Sequence, residues 1–305
     1  LKRALNKIQI RRRVAKDPTT PYDRKLTAEE SRKLKEAIAR LRGLYDRFHR
    51  QDGAFEERYH GLEKIDGGGM ADIFRAIRRE DGRTVAIKVL RLADLSRKSD
   101  PEQLIARFRR EGELLIRRLD HPHVIKGYEY GEANGEHFII LEHVTGGSLE
   151  DLLMRGPLGL DLFRRIALQL CDAVGYIHRQ GVIHRDIKPG NVLIEGPLSI
   201  KLADFGLAKD RRGPRLSRFS FAAGTDDFSS PQQLADARDA DERDDIYSLG
   251  KTFLAMLAGR PRKDGEPGWP VHLGAAAGAA APEAGQGRAN RATALNALIQ
   301  KCIAP

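Results

Sequence analysis

His184-Arg185-Asp186-Ile187-Lys188-Pro189-Gly190-Asn191, followed thirteen residues later by Asp204-Phe205-Gly206, is the stretch from which the rest of the chain can be placed. It gathers two carboxylates, an amide, an ammonium and a guanidinium. Short apolar runs flank these groups: Gly181-Val182-Ile183 before, Val192-Leu193-Ile194 between, and Ile200-Lys201-Leu202-Ala203 just ahead of Asp204. Aliphatic and β-branched runs bounded by Gly and Pro read as short strands. The polar groups therefore fall in strand-edge loops, where a rigid scaffold can aim them at a ligand.

This inventory suits phosphoryl transfer. Asp204 and Asn191 offer hard oxygen ligands for a divalent metal. Asp186 can orient and deprotonate a hydroxyl nucleophile, and Lys188 can neutralise charge on the moving group. The plain alternative is a surface loop whose charges face water. A lone Asp-Phe-Gly would favour that alternative, but the two motifs at this spacing do not. H-R-D-x-K-x-x-N with D-F-G resembles the catalytic and metal-binding loops of the protein kinase family, and Lys188 resembles its serine/threonine branch. The wordings Gly-Gly-Met-Ala-Asp and Lys-Pro-Gly-Asn are similar to bacterial members of that branch. The likeness covers about residues 59–305, in the family's order.

The resemblance implies an α+β fold in two lobes. A small antiparallel β-sheet lobe with one main helix occupies residues 59–145. A larger, mainly helical lobe follows at 146–305, cut short at its end, and a basic, partly helical extension spans 1–58. It also implies ATP and Mg2+ as cofactors, with Mn2+ as an alternative, and a single nucleotide cleft lined by Lys88, Glu111, Asp186, Asn191 and Asp204.

In the small lobe, Leu62-Glu63-Lys64-Ile65 reads as a strand and Ile73-Phe74-Arg75-Ala76-Ile77 as a second. Between them, Asp66-Gly67-Gly68-Gly69-Met70-Ala71 can bring backbone N–H groups against phosphate oxygens without side-chain obstruction. Alone it could be a hairpin turn. Placed before Val85-Ala86-Ile87-Lys88, it resembles the kinase glycine-rich loop, with Asp66 and Ala71 where the family has glycines. A carboxylate at 66 should weaken ATP binding unless it points outward. By the same resemblance Ile65, Gly67, Gly68, Gly69, Ile73 and Ala86 bind ATP, and Lys88 bridges its α- and β-phosphates.

Lys88 needs an acidic partner. The helix expected over Pro101 to Leu119 carries an apolar stripe of Leu104, Phe108 and Leu115, and Glu111 falls on it while Glu113 does not. An inward carboxylate is costly unless paired, so Glu111 is the choice. Strands are expected over His123 to Gly131 and His137 to Leu141, with Asn134-Gly135 turning between them. Glu142-His143-Val144 then resembles the hinge, whose backbone at Glu142 and Val144 binds adenine. Leu141 lies behind it, Ser148 joins the ATP site, Leu193 forms the floor, and His143 is a bystander.

Leu160, Phe163, Ile166, Leu170, Val174 and Ile177 recur at helical spacing and end at Gly181, a buried helix on which Cys171 should be core. Residues 209–223 resemble the activation loop, with Ser217 and Ser220 as phosphosites that Arg185 could pair. Gly224-Thr225 through Ser230-Pro231-Gln232 resembles the substrate-docking segment ending in A-P-E. There Thr225 contacts Asp186 and Lys188, and Gln232 replaces the Glu. Asp245 begins a central helix and anchors the catalytic loop. Residues 274–288 are low-complexity and read as a loop, before another helix from Ala292.

The net charge of +10 sits mostly in residues 1–60, which hold 17 Lys/Arg against 9 Asp/Glu. Thr27 and Glu30 form a capping box ahead of a helix to about Gln51, striped by Leu34, Ile38, Leu41, Tyr45 and Phe48. It should pack on the neighbouring domain or form a homodimer. Binding of nucleic acid or an anionic membrane through Arg11–Arg13 is the least favoured use of a basic run. No apolar run reaches membrane-spanning length, and Cys171 and Cys302 are isolated, which suits a cytoplasmic location. The start at Leu1 reads as a piece of a longer product, so a membrane anchor could lie outside it. The expected activity is phosphorylation of protein Ser/Thr hydroxyls. The rivals are a nucleotide-binding pseudokinase scaffold and a small-molecule phosphotransferase.

Overall fold

Alternating apolar residues build the first sheet. β1 (Tyr59–Gly67), β2 (Ala71–Arg78), β3 (Thr84–Leu90), β4 (Gly127–Ala133) and β5 (Glu136–Glu142) lie in the order β1-β2-β3-β5-β4 of a computed structural model. The structure describes residues 57–67, 70–92, 100–133, 135–196, 198–210, 227–235, 241–259, 297, 299 and 301–302. The expected N-terminal helix, Gly68, Gly69, Ser217, Ser220, Thr225 and the 274–288 loop lie outside those residues. The described chain divides into two units: Leu1–Asp94 with Tyr130–His143, and Leu95–Glu129 with Val144–Pro305.

In the first unit the antiparallel register sets the faces. Ile73 pairs Lys88, Arg75 pairs Ala86, and Ala86 pairs Leu141. Paired residues share a face and successive ones alternate, so Ile73, Ala86, Lys88 and Leu141 stand on one side of the sheet. Phe74, Ile87 and Ile140 stand on the other and are buried. β1 is longer than its sequence suggests. It runs through Asp66 and Gly67, which pair Ile73 and Asp72, and its register slips twice on the way. The turn is correspondingly shorter.

The second unit is helical. α1 (Pro101–Arg117) starts at Asp100, whose side chain accepts the Glu102 N–H. α2 (Leu149–Leu153) starts at Ser148 in a capping box with Asp151. α3 (Leu160–Arg179) buries Phe163, Ile166, Leu170, Ala173, Val174 and Ile177, and ends before Gly181 at φ 74°, the left-handed position that Gly takes without strain. A fully buried Leu or Ile on such a stripe stabilises by about 1.5–3 kcal/mol. Two expectations fail here. Cys171 is exposed, because it sits one position past Leu170 and so off the stripe. Leu160, in the first turn, is also exposed.

α4 (Pro231–Ala235) and α5 (Glu242–Ala258) follow. α5 is capped by Asp241 with Asp244 and closed by Gly259, and Phe253 meets Phe163 of α3 edge-on at 5.8 Å. The strand expected from His123 begins at Gly127 instead. Ile125 N–H donates to Leu202 O at 2.9 Å and Leu202 N–H to His123 O at 2.9 Å, so this stretch spends its backbone groups beside β8 (Ser199–Leu202). β8 itself pairs β7 (Val192–Glu195), and β6 (Val182–Ile183) pairs β9 (Lys209–Asp210). Next to β7, Gly146 N–H donates to Ile194 O at 3.0 Å and Ile194 N–H to Gly147 O at 2.9 Å. A Cβ on Gly146 would stand 2.3 Å from that Ile194 oxygen, whereas Gly147 has φ 75°.

Candidate active site

In the second unit β6 delivers the chain to His184, and the 3-10 turn Pro189–Asn191 receives it. Between them Arg185 has φ 68°, rare for a residue with a side chain, and Asp204 has φ 61°. Such conformations persist only when neighbours over-determine them. Here the neighbours are explicit. Asp245, 0% exposed, accepts His184 N–H and Arg185 N–H, each at 2.8 Å, and bonds His178 Nε2 at 2.7 Å. Arg185 Nε donates to Leu207 O at 2.7 Å.

His184 is fully buried against Phe205, with ring centroids 4.6 Å apart. Asp186 N–H approaches His184 Nδ1 at 3.3 Å, while Nε2 lies 3.1 Å from Ala203 O. A carbonyl can only accept, so Nε2 carries the hydrogen and Nδ1 receives the amide. Both ring nitrogens are committed to backbone, and His184 is a strut between the two motifs.

On this frame Asp186, Lys188 and Asn191 meet. Asn191 Nδ2 donates to Asp186 O at 2.7 Å and to Asp186 Oδ2 at 2.9 Å. Lys188 Nζ reaches the same Oδ2 at 2.9 Å. Both donors converge on one carboxylate oxygen, and no bond to Oδ1 is found among the described residues. With Nδ2 of Asn191 engaged as donor, its Oδ1 is the hard acceptor of the same amide. Asp204 is exposed, and Gly206 N–H lies 3.4 Å from its Oδ1. On α1, Glu111 is 3% exposed among Leu104, Phe108, Leu114 and Leu115, whereas Glu113 is outward and bonds Arg109 at 3.1 Å.

Leu193 pairs Lys201 in the β7–β8 hairpin and bridges to Ser148. The Ser148 hydroxyl donates to Asp151 Oδ2 at 2.7 Å and accepts the Asp151 N–H at 3.1 Å, so its evident task is to cap α2. Val144 follows directly on the first unit's last residue, His143. Burial, and then the nearby Arg75, lower the His143 pKa from its ordinary value and favour the neutral ring.

In the first unit Lys88 is buried on β3, and Glu142 closes β5. Ile65 is exposed at the irregularity in β1. Asp66 does not simply face the turn: its Oδ1 accepts the Gly67 N–H at 2.7 Å. A pair that sequence reasoning missed lies beneath it. Lys64 Nζ bonds Asp72 Oδ1 at 2.7 Å, with the Asp72 side chain 3% exposed. A Cβ on Gly67 would stand 2.8 Å from Lys64 Nζ and 3.0 Å from Asp72 Oδ1. Gly67 is thus where backbone presses on a part-buried ion pair. Only the opposite charges of Lys64 and of Asp66 and Asp72 hinted at it, and the slipped register hid which of them meet.

The sequence family described as the protein kinase domain matches residues 59–270. A probable serine/threonine-protein kinase pknA2 of Bifidobacterium longum is 35% identical over 206 residues, covering 67% of this chain and 27% of that protein. The serine/threonine-protein kinase PrkC of Bacillus subtilis is 35% identical over 210 residues, covering 68% and 32%. PknA of Corynebacterium glutamicum is 39% identical over 202 residues, covering 64% and 42%. The chain spans roughly a third of the length of the curated relatives it matches.

Proposed function

The chain belongs to the protein kinase family, and on that premise we propose that it transfers the γ-phosphoryl group of ATP to serine or threonine hydroxyls of protein substrates. The observation that carries this reading is the convergence of Lys188 Nζ and Asn191 Nδ2 on Asp186 Oδ2. It fixes the carboxylate and would leave Oδ1 for an incoming hydroxyl, whose proton it takes as the new O–P bond forms and the bond from the γ-phosphorus to the β,γ-bridging oxygen breaks, releasing ADP. Lys188, already at the carboxylate, offsets charge on the phosphoryl oxygens. Every charged catalytic position of the motif is filled, which favours an enzyme over a pseudokinase scaffold.

The donor set fits a hard divalent cation such as Mg2+. Asn191 Oδ1 and the Asp204 carboxylate are oxygen ligands, and among the described residues no cluster of three His, Cys, Asp or Glu side chains builds a self-sufficient metal cage. When bound, such an ion would supply positive charge that offsets the charge of the phosphate groups. Lys88, buried on β3, would hold the α- and β-phosphates, and Glu111, buried on α1, keeps the role that the resemblance gives it. In the first unit Ile73, Ala86 and Leu141, which share one face of the sheet, would contact adenine, with Ile65, Gly67 and the Glu142 backbone also assigned to ATP; in the second unit Leu193 and the Val144 backbone carry the same assignment. Thr225 keeps the substrate-docking role that the resemblance gives it, and Ser148 would stay in the site through its backbone.

Activation by phosphorylation at Ser217 or Ser220 belongs to the same reading. Burial, and then the like charge of Arg107, lower the Arg185 pKa from its ordinary value, and a phosphate beside it would relieve that stress. We assign residues 1–58 to the extension, 59–145 to the small lobe and 146–305 to the large one, in a cytoplasmic protein. No helix among the described residues is long and apolar enough to cross a membrane. Dimerisation through the Leu34–Phe48 stripe is tested by sedimentation with and without residues 1–56.

The test of activity uses radiolabelled ATP and a generic basic protein. Asp186→Asn should lower turnover by about 10²–10⁴ and leave ATP binding intact, and mass spectrometry of the same reaction should find phosphate on residues 209–223. Turnover that survives Asp186→Asn refutes the catalytic assignment. Full activity with an unmodified loop refutes the activation step.

A further inference from the structure

The substrate-docking resemblance singles out Gln232, yet Gln232 is exposed and its neighbour Gln233 turns inward from α4. Gln233 Nε2 donates to the carbonyl oxygen of Arg185 at 2.7 Å. The amide can be oriented only one way, because its oxygen against another carbonyl would repel. Among the described residues Gln233 Oε1 is left buried without a hydrogen-bond partner. Burying an unpaired acceptor is costly, so the nitrogen's bond to Arg185 must outweigh it.

Arg185 is the left-handed residue just ahead of Asp186. Asp245 holds its N–H, Leu207 O its guanidinium, and Gln233 its carbonyl. That carbonyl belongs to the peptide unit joining Arg185 to Asp186, so its orientation sets the direction in which the Asp186 side chain leaves the backbone. α4 is itself fixed. Ser230 Oγ accepts the Gln233 N–H at 3.0 Å and donates to the Asp244 carboxylate, next to Asp245 on the first turn of α5. Asp245 and Gln233 therefore grip one strained residue from opposite ends, and both are tied to the start of α5.

We infer that Gln233 is a positioning residue that couples α4, which contains the end of the substrate-docking segment, to the aim of the Asp186 carboxylate. Displacement of α4 pulls on the Arg185 carbonyl and turns Asp186 with it. The inference rests on the phosphoryl-transfer reading above.

The test compares the full chain with Gln233→Met, Gln233→Glu and, as a control on the outer side of α4, Leu234→Ala. Each is assayed for kcat and for the KM of ATP and a basic protein, with thermal melting alongside. Gln233→Met should lower kcat about 3- to 10-fold with an unchanged KM for ATP, and Leu234→Ala should change neither. Gln233→Glu is the sharper variant. Its ionised carboxylate can only accept, and it faces the Arg185 carbonyl, so the deficit should be largest near pH 8.5, about the upper end of the assay. As pH falls the carboxyl gains a proton and regains a donor, so the ratio of wild-type to variant kcat should narrow. A role confined to packing would leave that ratio constant with pH. A constant ratio, or Gln233→Met turning over like the wild type, overturns the inference alone. A wild type that transfers no phosphate overturns the phosphoryl-transfer reading, and this inference with it.

Discussion

The catalytic loop and the β1–β2 hairpin are both held by buried charge, but the charge comes from different distances along the chain. Asp245 reaches back 61 and 60 residues to the amides of His184 and Arg185, and Gln233 reaches back 48 to Arg185. The hairpin is clamped by Lys64 and Asp72, only eight residues apart, and by Asp66 on the adjoining Gly67 N–H. The loop has a backbone that no local preference would choose, so it depends on anchors delivered by α4 and α5. The hairpin follows its own strand pairing, and its ion pair adjusts what the ladder has already set. A loop held from afar should fail as a unit, while a locally clamped turn should loosen by degrees.

The largest effect should come from Asp245. Asp245→Asn replaces one of two acceptor oxygens with a donor that faces backbone N–H groups. It should cost about 3 kcal/mol of unfolding free energy, read by urea denaturation, and remove most turnover. A variant with normal melting and activity would break the contrast, since the loop would then need no distant anchor. The hairpin should give a middling effect. Asp72→Asn should raise the KM for ATP about 3- to 10-fold and cost about 1 kcal/mol, with kcat nearly constant. Adding Lys64→Met should recover part of the loss, because the buried charge no longer lacks a partner. A collapse in kcat there would erase the distinction between graded and unitary failure.

The smallest effect belongs to the outer end of β2. The Arg78 guanidinium, hydrogen-bonded to Asp81 at 2.5 Å, holds that carboxyl down at about 2. A lowered carboxyl pKa contributes stability above the ordinary carboxylate range and loses it as pH falls through about 2. At an exposed turn the contribution is small. Asp81→Asn should shift the melting midpoint by about 1 °C or less at neutral pH. A shift of several degrees would show that local pairs matter as much as distant ones.

The same contrast explains what could be read before the fold was known. The runs at 182–183, 192–194 and 200–202 declared themselves as strands, because each is short, aliphatic and bounded by Gly, Pro or a charged loop. Glu111 was placed inward by its position on the stripe of α1, and it is buried there. Where tertiary bonds intervene, the pattern misleads. Val124 and Ile125 have strand composition but lie beside Leu202 outside β4, and Cys171 sits among apolar neighbours yet misses the helix stripe by one position. The Lys64–Asp72 pair was hidden by the slipped register of β1. Gln233 was hidden because a glutamine's value lies in a carbonyl 48 residues away, which no local window contains.

Gly146 and Gly147 look interchangeable on paper and are not. At 146 the constraint is volume: any added carbon would collide with the Ile194 oxygen and prise apart two backbone bonds. At 147 it is chirality, since its dihedral belongs to the mirror image of the usual helical basin. Evolution at the first site is blocked by size, and at the second by the exclusive use of one enantiomer in translation.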